Sequence, residues 1–66
     1  MAEDLSYRIE LWDDGWTKRV ETLAKAGDFP TAKAAFDAAV TRRPGEAILL
    51  CDRARIIKRA GKPPRN

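Results

Sequence analysis

The sequence predicts an α+β fold in the order strand, strand, helix, strand, strand (ββαββ), a small antiparallel-rich sheet packed on one helix. Three observations carry this. Tyr7-Arg8-Ile9-Glu10-Leu11 alternates apolar and charged residues, the period of a half-buried strand. Ala32, Ala35, Phe36, Ala39 and Val40 fall at the 3.6-residue spacing of an amphipathic helix. Two short runs rich in Ile and Leu, Ala47–Cys51 and Ala54–Lys58, follow Pro44-Gly45 and suit a closing hairpin.

In chain order, the first strand uses aromatic and β-branched residues that fit a pleated surface. Asp13-Asp14-Gly15 supplies turn chemistry, and Lys18–Ala26 returns as a second strand through Val20 and Thr22, although Leu23, Ala24 and Ala26 also suit a helix. The helix runs from Thr31 to Arg43. Asp28 caps its first turn, and Pro30 is tolerated there because its missing amide proton would have no helical partner. Arg42 and Arg43 complement the negative end of the helix dipole, and Pro44-Gly45 stops it. The last two runs meet at Asp52-Arg53, a poor turn pair because a non-glycine residue is strained at positive φ, and Gly61 closes the segment. Residues 1–61 read as a single small domain and 62–66 as a polar, proline-containing tail.

An all-helical alternative uses the same residues. Leu5, Ile9, Trp12, Trp16, Val20 and Leu23 keep a helical stripe, as do Ala47, Leu50, Cys51, Ala54 and Ile57. Trp16, Leu23, Gly27, Asp28, Phe29, Ala32, Phe36, Ala39 and Pro44 resemble a tetratricopeptide repeat in order and spacing. That resemblance implies a helical hairpin, but it covers about one and a half repeats where about three are needed to bury a solenoid's apolar faces. The Tyr7–Asp13 start, the Ala34–Val40 helix and the Arg43-Pro44-Gly45, Ile48-Leu49-Leu50 and Ala54–Ile57 ending resemble small uncharacterised proteins of alpha-proteobacteria. This second resemblance spans most of the chain, implies the ββαββ order and carries no activity with it.

Composition narrows the chemistry. A chain of 66 residues holds one core and buries only about 60% of its unfolded surface. Cys51 is the only cysteine, so no internal disulfide forms, and its apolar run reads as the setting of a small buried hydrophobe. With no histidine, a four-ligand zinc site needs unusual carboxylate ligands or a second chain, and nucleophilic catalysis lacks its usual base. Ser6 is the only serine; Asp13 and Asp14 are adjacent and read as a solvated turn rather than an acid–base pair; Gly15, Gly27, Gly45 and Gly61 are too scattered to cradle a phosphate. The expectation is a protein without catalytic residues, metal, cofactor or small-molecule substrate. The acidic start, Met1-Ala2-Glu3-Asp4, is followed by no long apolar stretch, which points to a cytoplasmic location without membrane contact.

The charge is lopsided. Residues 1–40 hold five Lys and Arg against eight Asp and Glu, and residues 41–66 hold eight against two, so the net +3 arises wholly in the last third. A basic stripe neutralises phosphates, or simply keeps a surface solvated. Trp12 and Trp16 flank the Asp-Asp-Gly turn, and strict alternation sets Trp12 on the face opposite Tyr7, Ile9 and Leu11. The pair reads either as rings packed over the helix or across the hairpin, or as a partner-binding anchor. The function expected is a non-enzymatic interaction module that binds a protein partner or a second copy of itself; the alternative is a nucleic-acid-binding domain using the basic C-terminal third. The candidate contact residues are Trp12, Trp16, Arg53, Arg55, Lys58 and Arg59.

Overall fold

A computed structural model describes residues 5–61. The elements are β1 (Tyr7–Trp12), β2 (Arg19–Ala26), α1 (Phe29–Arg42), β3 (Ala47–Asp52) and β4 (Arg55–Ala60), which is the ββαββ order expected. They form one antiparallel sheet in the order β2-β1-β3-β4. The all-helical alternative is overturned. The stripe from Leu5 to Leu23 that a tetratricopeptide hairpin requires is broken into two strands and a loop, because the Tyr7–Leu11 alternation puts every apolar residue on one side of a pleat. The proline-containing tail lies outside the described residues.

Residues directly opposite one another in an antiparallel sheet share a face, so the register sorts the side chains. On one face lie three rows: Ala26, Tyr7, Asp52 and Arg55; Ala24, Ile9, Leu50 and Lys58; Glu21, Leu11, Ile48 and Ala60. Helix α1 packs on this face against β1, β2 and β3. It brings Ala32 and Phe36 to Ile9, Leu11, Ala26, Ile48 and Leu50, with Ala35, Ala39 and Val40 at the margin. All five members of the predicted helical stripe are therefore in contact with the core. Tyr7 also meets Phe29, ring centroids 6.2 Å apart.

Local signals explain the element ends. Asp28 is extended (φ −143°), and its carboxylate accepts from the Thr31 amide at 2.9 Å, so the helix starts at Phe29, two residues before the expected Thr31. Pro30 sits within the first turn. At the other end Arg43 caps the helix, its amide donating to the Ala39 carbonyl at 2.9 Å, and Gly45 follows at φ +82°. Strand β2 begins at Arg19 and carries two register shifts against β1. Each places one extra residue, Leu23 and Val20, so that Lys25, Thr22 and Arg19 share a face at a spacing of three. The turn between β3 and β4 is Arg53-Ala54, one residue beyond the expected Asp52-Arg53, because Asp52 still pairs with Arg55; Arg53 takes the positive φ, +58°, that strains a non-glycine residue.

Gly61 is the glycine on which the hairpin end depends. It adopts φ +92°, and a Cβ there would collide with the Glu46 carbonyl oxygen and lie 2.8 Å from the Glu46 carbonyl carbon. Gly45 is also left-handed, but open space surrounds its Cβ position. Gly61→Ala is therefore expected to cost about 2 kcal/mol and Gly45→Ala about 1 kcal/mol, measured by urea denaturation. Equal costs would show that the contact with Glu46 does not constrain the strand end.

Candidate functional site

The face of the sheet turned away from α1 carries three rows of its own: Lys25, Arg8, Cys51 and Ile56; Thr22, Glu10, Leu49 and Arg59; Arg19, Trp12 and Ala47. No secondary-structure element covers it among the described residues, yet Ala47, Leu49 and Cys51 are at most 5% exposed and Glu10 is 3% exposed. What covers them is a layer of long side chains. The Arg8 guanidinium reaches the Arg53 carbonyl oxygen at 2.7 Å, passing from β1 to the turn beyond β3. Arg59, opposite Leu49, sets its guanidinium 6.0 Å from the centroid of the Trp16 ring. Trp12 and Trp16 are both half-buried.

Glu10 organises this layer. Its carboxylate accepts from Arg8 Nε at 2.9 Å, Trp12 Nε1 at 3.1 Å and an Arg19 terminal nitrogen at 3.3 Å, and from the Cys51 thiol at 3.7 Å. Burial pushes the Glu10 carboxyl up, but the hydrogen bonds from Arg8, Trp12 and Arg19 outweigh it and hold the group below its ordinary range. Two arginines and an indole are thus held at fixed positions on the sheet by one buried anion. Among the described residues no buried side-chain nitrogen or oxygen lacks a partner.

Cys51 lies under Arg8 and is 4% exposed, the small buried hydrophobe expected from its apolar run. Burial and the adjacent Glu10 carboxylate push its thiol up, which keeps it protonated and unreactive. In the native state a disulfide reagent is expected to modify it at least about 100-fold more slowly than in denaturant, followed as thiol release by absorbance. Equal rates would mean that the covering layer is open.

The loop joining β1 and β2 is held by Asp13, whose carboxylate accepts from the Thr17 hydroxyl at 2.5 Å and from its amide at 2.8 Å. These bonds hold the Asp13 carboxyl below its usual value, and Asp14 is exposed, so the pair serves a turn as expected. Trp16 occupies this loop at φ +58°, a conformation that costs a non-glycine residue about 1 kcal/mol; its ring contact with Arg59 helps offset that cost.

The candidate contact residues do not form one patch. Trp12, Trp16 and Arg59 come together on the uncovered face. Arg55 and Lys58 stand opposite Asp52 and Leu50, on the helix side, and Arg55 lies 3.9 Å from the Asp52 carboxylate. Arg53 occupies the turn, where its carbonyl receives Arg8. Trp12 stands on the face away from the helix, and the Trp16 ring meets Arg59 across the sheet. Arg8, Glu10, Arg19 and Lys25, all from the acidic half of the chain, belong to the uncovered face and were not among the candidates; the strand alternation that places Trp12 there places Arg8 and Glu10 beside it.

A concavity of about 640 Å³ lies between α1 and β2, lined by Leu23 and Ala39 and by the charged Glu21, Glu46, Arg42 and Arg43. Its charges cancel, so it selects no ligand sign. Among the described residues no helix is long and apolar enough to cross a membrane, and no three of His, Cys, Asp and Glu gather as a metal-binding group. No protein family, curated protein or solved structure matches the chain.

Proposed function

We propose that this protein is a non-enzymatic binding module whose working surface is the uncovered face of the sheet, and that its partner carries net negative charge. The observation that supports this reading is the gathering of Trp12, Trp16, Arg8, Arg19 and Arg59 on one face. Tryptophan and arginine are the side chains that most often dominate binding energy, because each presents a large rigid surface together with hydrogen-bond donors. Here the buried Glu10 already fixes two of the arginines and one indole, so little ordering remains to be done on binding.

The same face disfavours a second copy of the chain as its partner. Face-to-face pairing would set Arg8, Arg19, Lys25 and Arg59 against their own like. Edge-to-edge pairing through β4 would do so with Arg55, Lys58 and Arg59, a common device against sheet extension. The test is capture from a cell extract, with wild-type protein and the Arg59→Glu variant immobilised in parallel and nuclease added in one arm. The reading expects a bound component on the wild-type protein that is depleted on Arg59→Glu; identical capture by both would remove the face from the function.

A further inference from the structure

Resting on that reading of the face, we infer that its partner is single-stranded nucleic acid, bound by stacking of bases on Trp12 and Trp16 and by phosphate contacts to Arg59, Arg19 and Lys25. Charge comes first. The face carries Arg8, Arg19, Lys25 and Arg59 against the single carboxylate of Glu10, which is 3% exposed and accepts from two of those arginines. Across the strands a ligand therefore meets exposed cations, while exposed Asp14 lines the same hollow as Trp16 and Ala47 at the loop edge. The Arg19 side chain stays 53% exposed while touching Glu10, so its remaining donors face solvent.

The apolar content of the face separates nucleic acid from an acidic protein. A protein partner docks on an apolar centre from which charge is depleted. In this sheet the apolar centre, Ala47, Leu49 and Cys51, is already covered, chiefly by arginine and tryptophan, and the one large aliphatic side chain exposed in these rows, Ile56, stands apart on the edge strand β4. Half-buried indole rings interleaved with cations match a chain of planar bases joined by phosphates, because every base offers a π-face and every linkage an anion. A duplex hides its bases and offers only the phosphates, so the tryptophans select the single strand.

The site also crosses the two halves of the sequence. Trp16, in the acidic half, is brought under Arg59, in the basic half, by the β1-β3-β4 adjacency.

The test is a titration of tryptophan fluorescence with an oligothymidylate of about 12 nucleotides, a length within the sites of sheet-based single-strand binders. The same sequence as a duplex and a polyglutamate of equal charge form the other arms, all at low ionic strength. The inference expects quenching by the single strand with a Kd on the order of 10 μM, and log affinity falling with log salt at a slope of about −2. Duplex and polyglutamate should bind at least about tenfold more weakly.

Two variants divide the contributions. Trp16→Gly removes the ring while suiting the left-handed backbone at that position, and is expected to weaken binding about tenfold. Arg59→Glu, on an exposed edge-strand side chain, is expected to weaken it about tenfold and to flatten the salt slope. Lys33→Glu, on the far side of α1, should leave the affinity unchanged. Circular dichroism of each variant establishes that it is folded. Absence of quenching at low salt, or equal affinity for the duplex with Trp16→Gly unaffected, overturns the inference. Polyglutamate binding as tightly as the oligonucleotide also overturns it, while leaving the anionic-partner reading of the face in place.

Discussion

Glu10→Ala is expected to lower the unfolding free energy by about 3 kcal/mol, the lower end for breaking a buried ion pair. The carboxylate is buried, and removing it leaves the Arg8 and Arg19 guanidinium groups and the Trp12 indole without their shared acceptor. The cost stays at that lower end because the Arg8 and Arg19 side chains are 31% and 53% exposed and turn back to water. A chain of 66 residues has only about 3–10 kcal/mol of stability in total, so this one carboxylate decides whether a large fraction of molecules stays folded. Glu10→Gln, which keeps an acceptor oxygen but not the charge, is expected to cost about 1–2 kcal/mol. Urea denaturation measures both, and a neutral Glu10→Ala would mean that the arginine layer supports itself.

The same group sets a pH dependence. The Glu10 carboxyl is held below its ordinary value of 4.5 in the folded protein, so its contribution is fully present above that value. It is lost as pH falls through the lowered folded value. Asp13 and Asp28 are also held low by hydrogen bonds from Thr17 and Thr31 and contribute in the same direction. Stability measured from about pH 6 to pH 3 should therefore fall in the wild type and fall less steeply in Glu10→Gln.

Leu50→Ala is expected to be the most damaging substitution in the sheet, at about 3–4 kcal/mol, while Leu49→Ala one residue away costs about 2 kcal/mol. Both side chains are buried, at 0% and 4% exposure, but on opposite faces. Leu50 lies between the sheet and α1, two rigid surfaces that cannot close on a void. Leu49 lies under Glu10 and Arg59, and the long Arg59 side chain can settle into the space left behind. Chemical denaturation of the two variants gives the comparison. Reversed magnitudes would place the rigid cover on the wrong face of the sheet.

These contrasts show what the amino-acid order encodes and what it conceals. Strand β1 and helix α1 are legible because each turns an apolar stripe to the core between them, which leaves periods of two and 3.6 in the residues themselves. Strand β2 reads poorly for a geometric reason. Its two bulges replace a spacing of two by one of three, so Arg19, Thr22 and Lys25 share a face at an interval that imitates a helix.

The covering layer on the uncovered face does leave a signal. Ala47–Cys51 is apolar at every position, the mark of a strand buried on both sides, although one helix can cover only one side. Something else had to lie over Leu49 and Cys51, and the only side chains the alternation sends there from β1 are Arg8, Glu10 and Trp12. The basic C-terminal third misleads in the opposite way. Strict alternation would set Arg55 and Arg59 on one face, but a register shift that leaves Ile57 as an extra residue in β4 puts Arg55 with Lys58 on the helix side, while Arg59 meets a tryptophan 43 positions earlier.

Nuclear magnetic resonance mapping with the oligothymidylate shows whether the surface opposite α1 takes single strands. Shifts are expected to concentrate on the Trp12 and Trp16 indole protons and on the amides of Arg19, Leu49 and Arg59, with α1 unperturbed. Shifts gathered on α1 or in the cleft beside Leu23, or none at low salt, would contradict it.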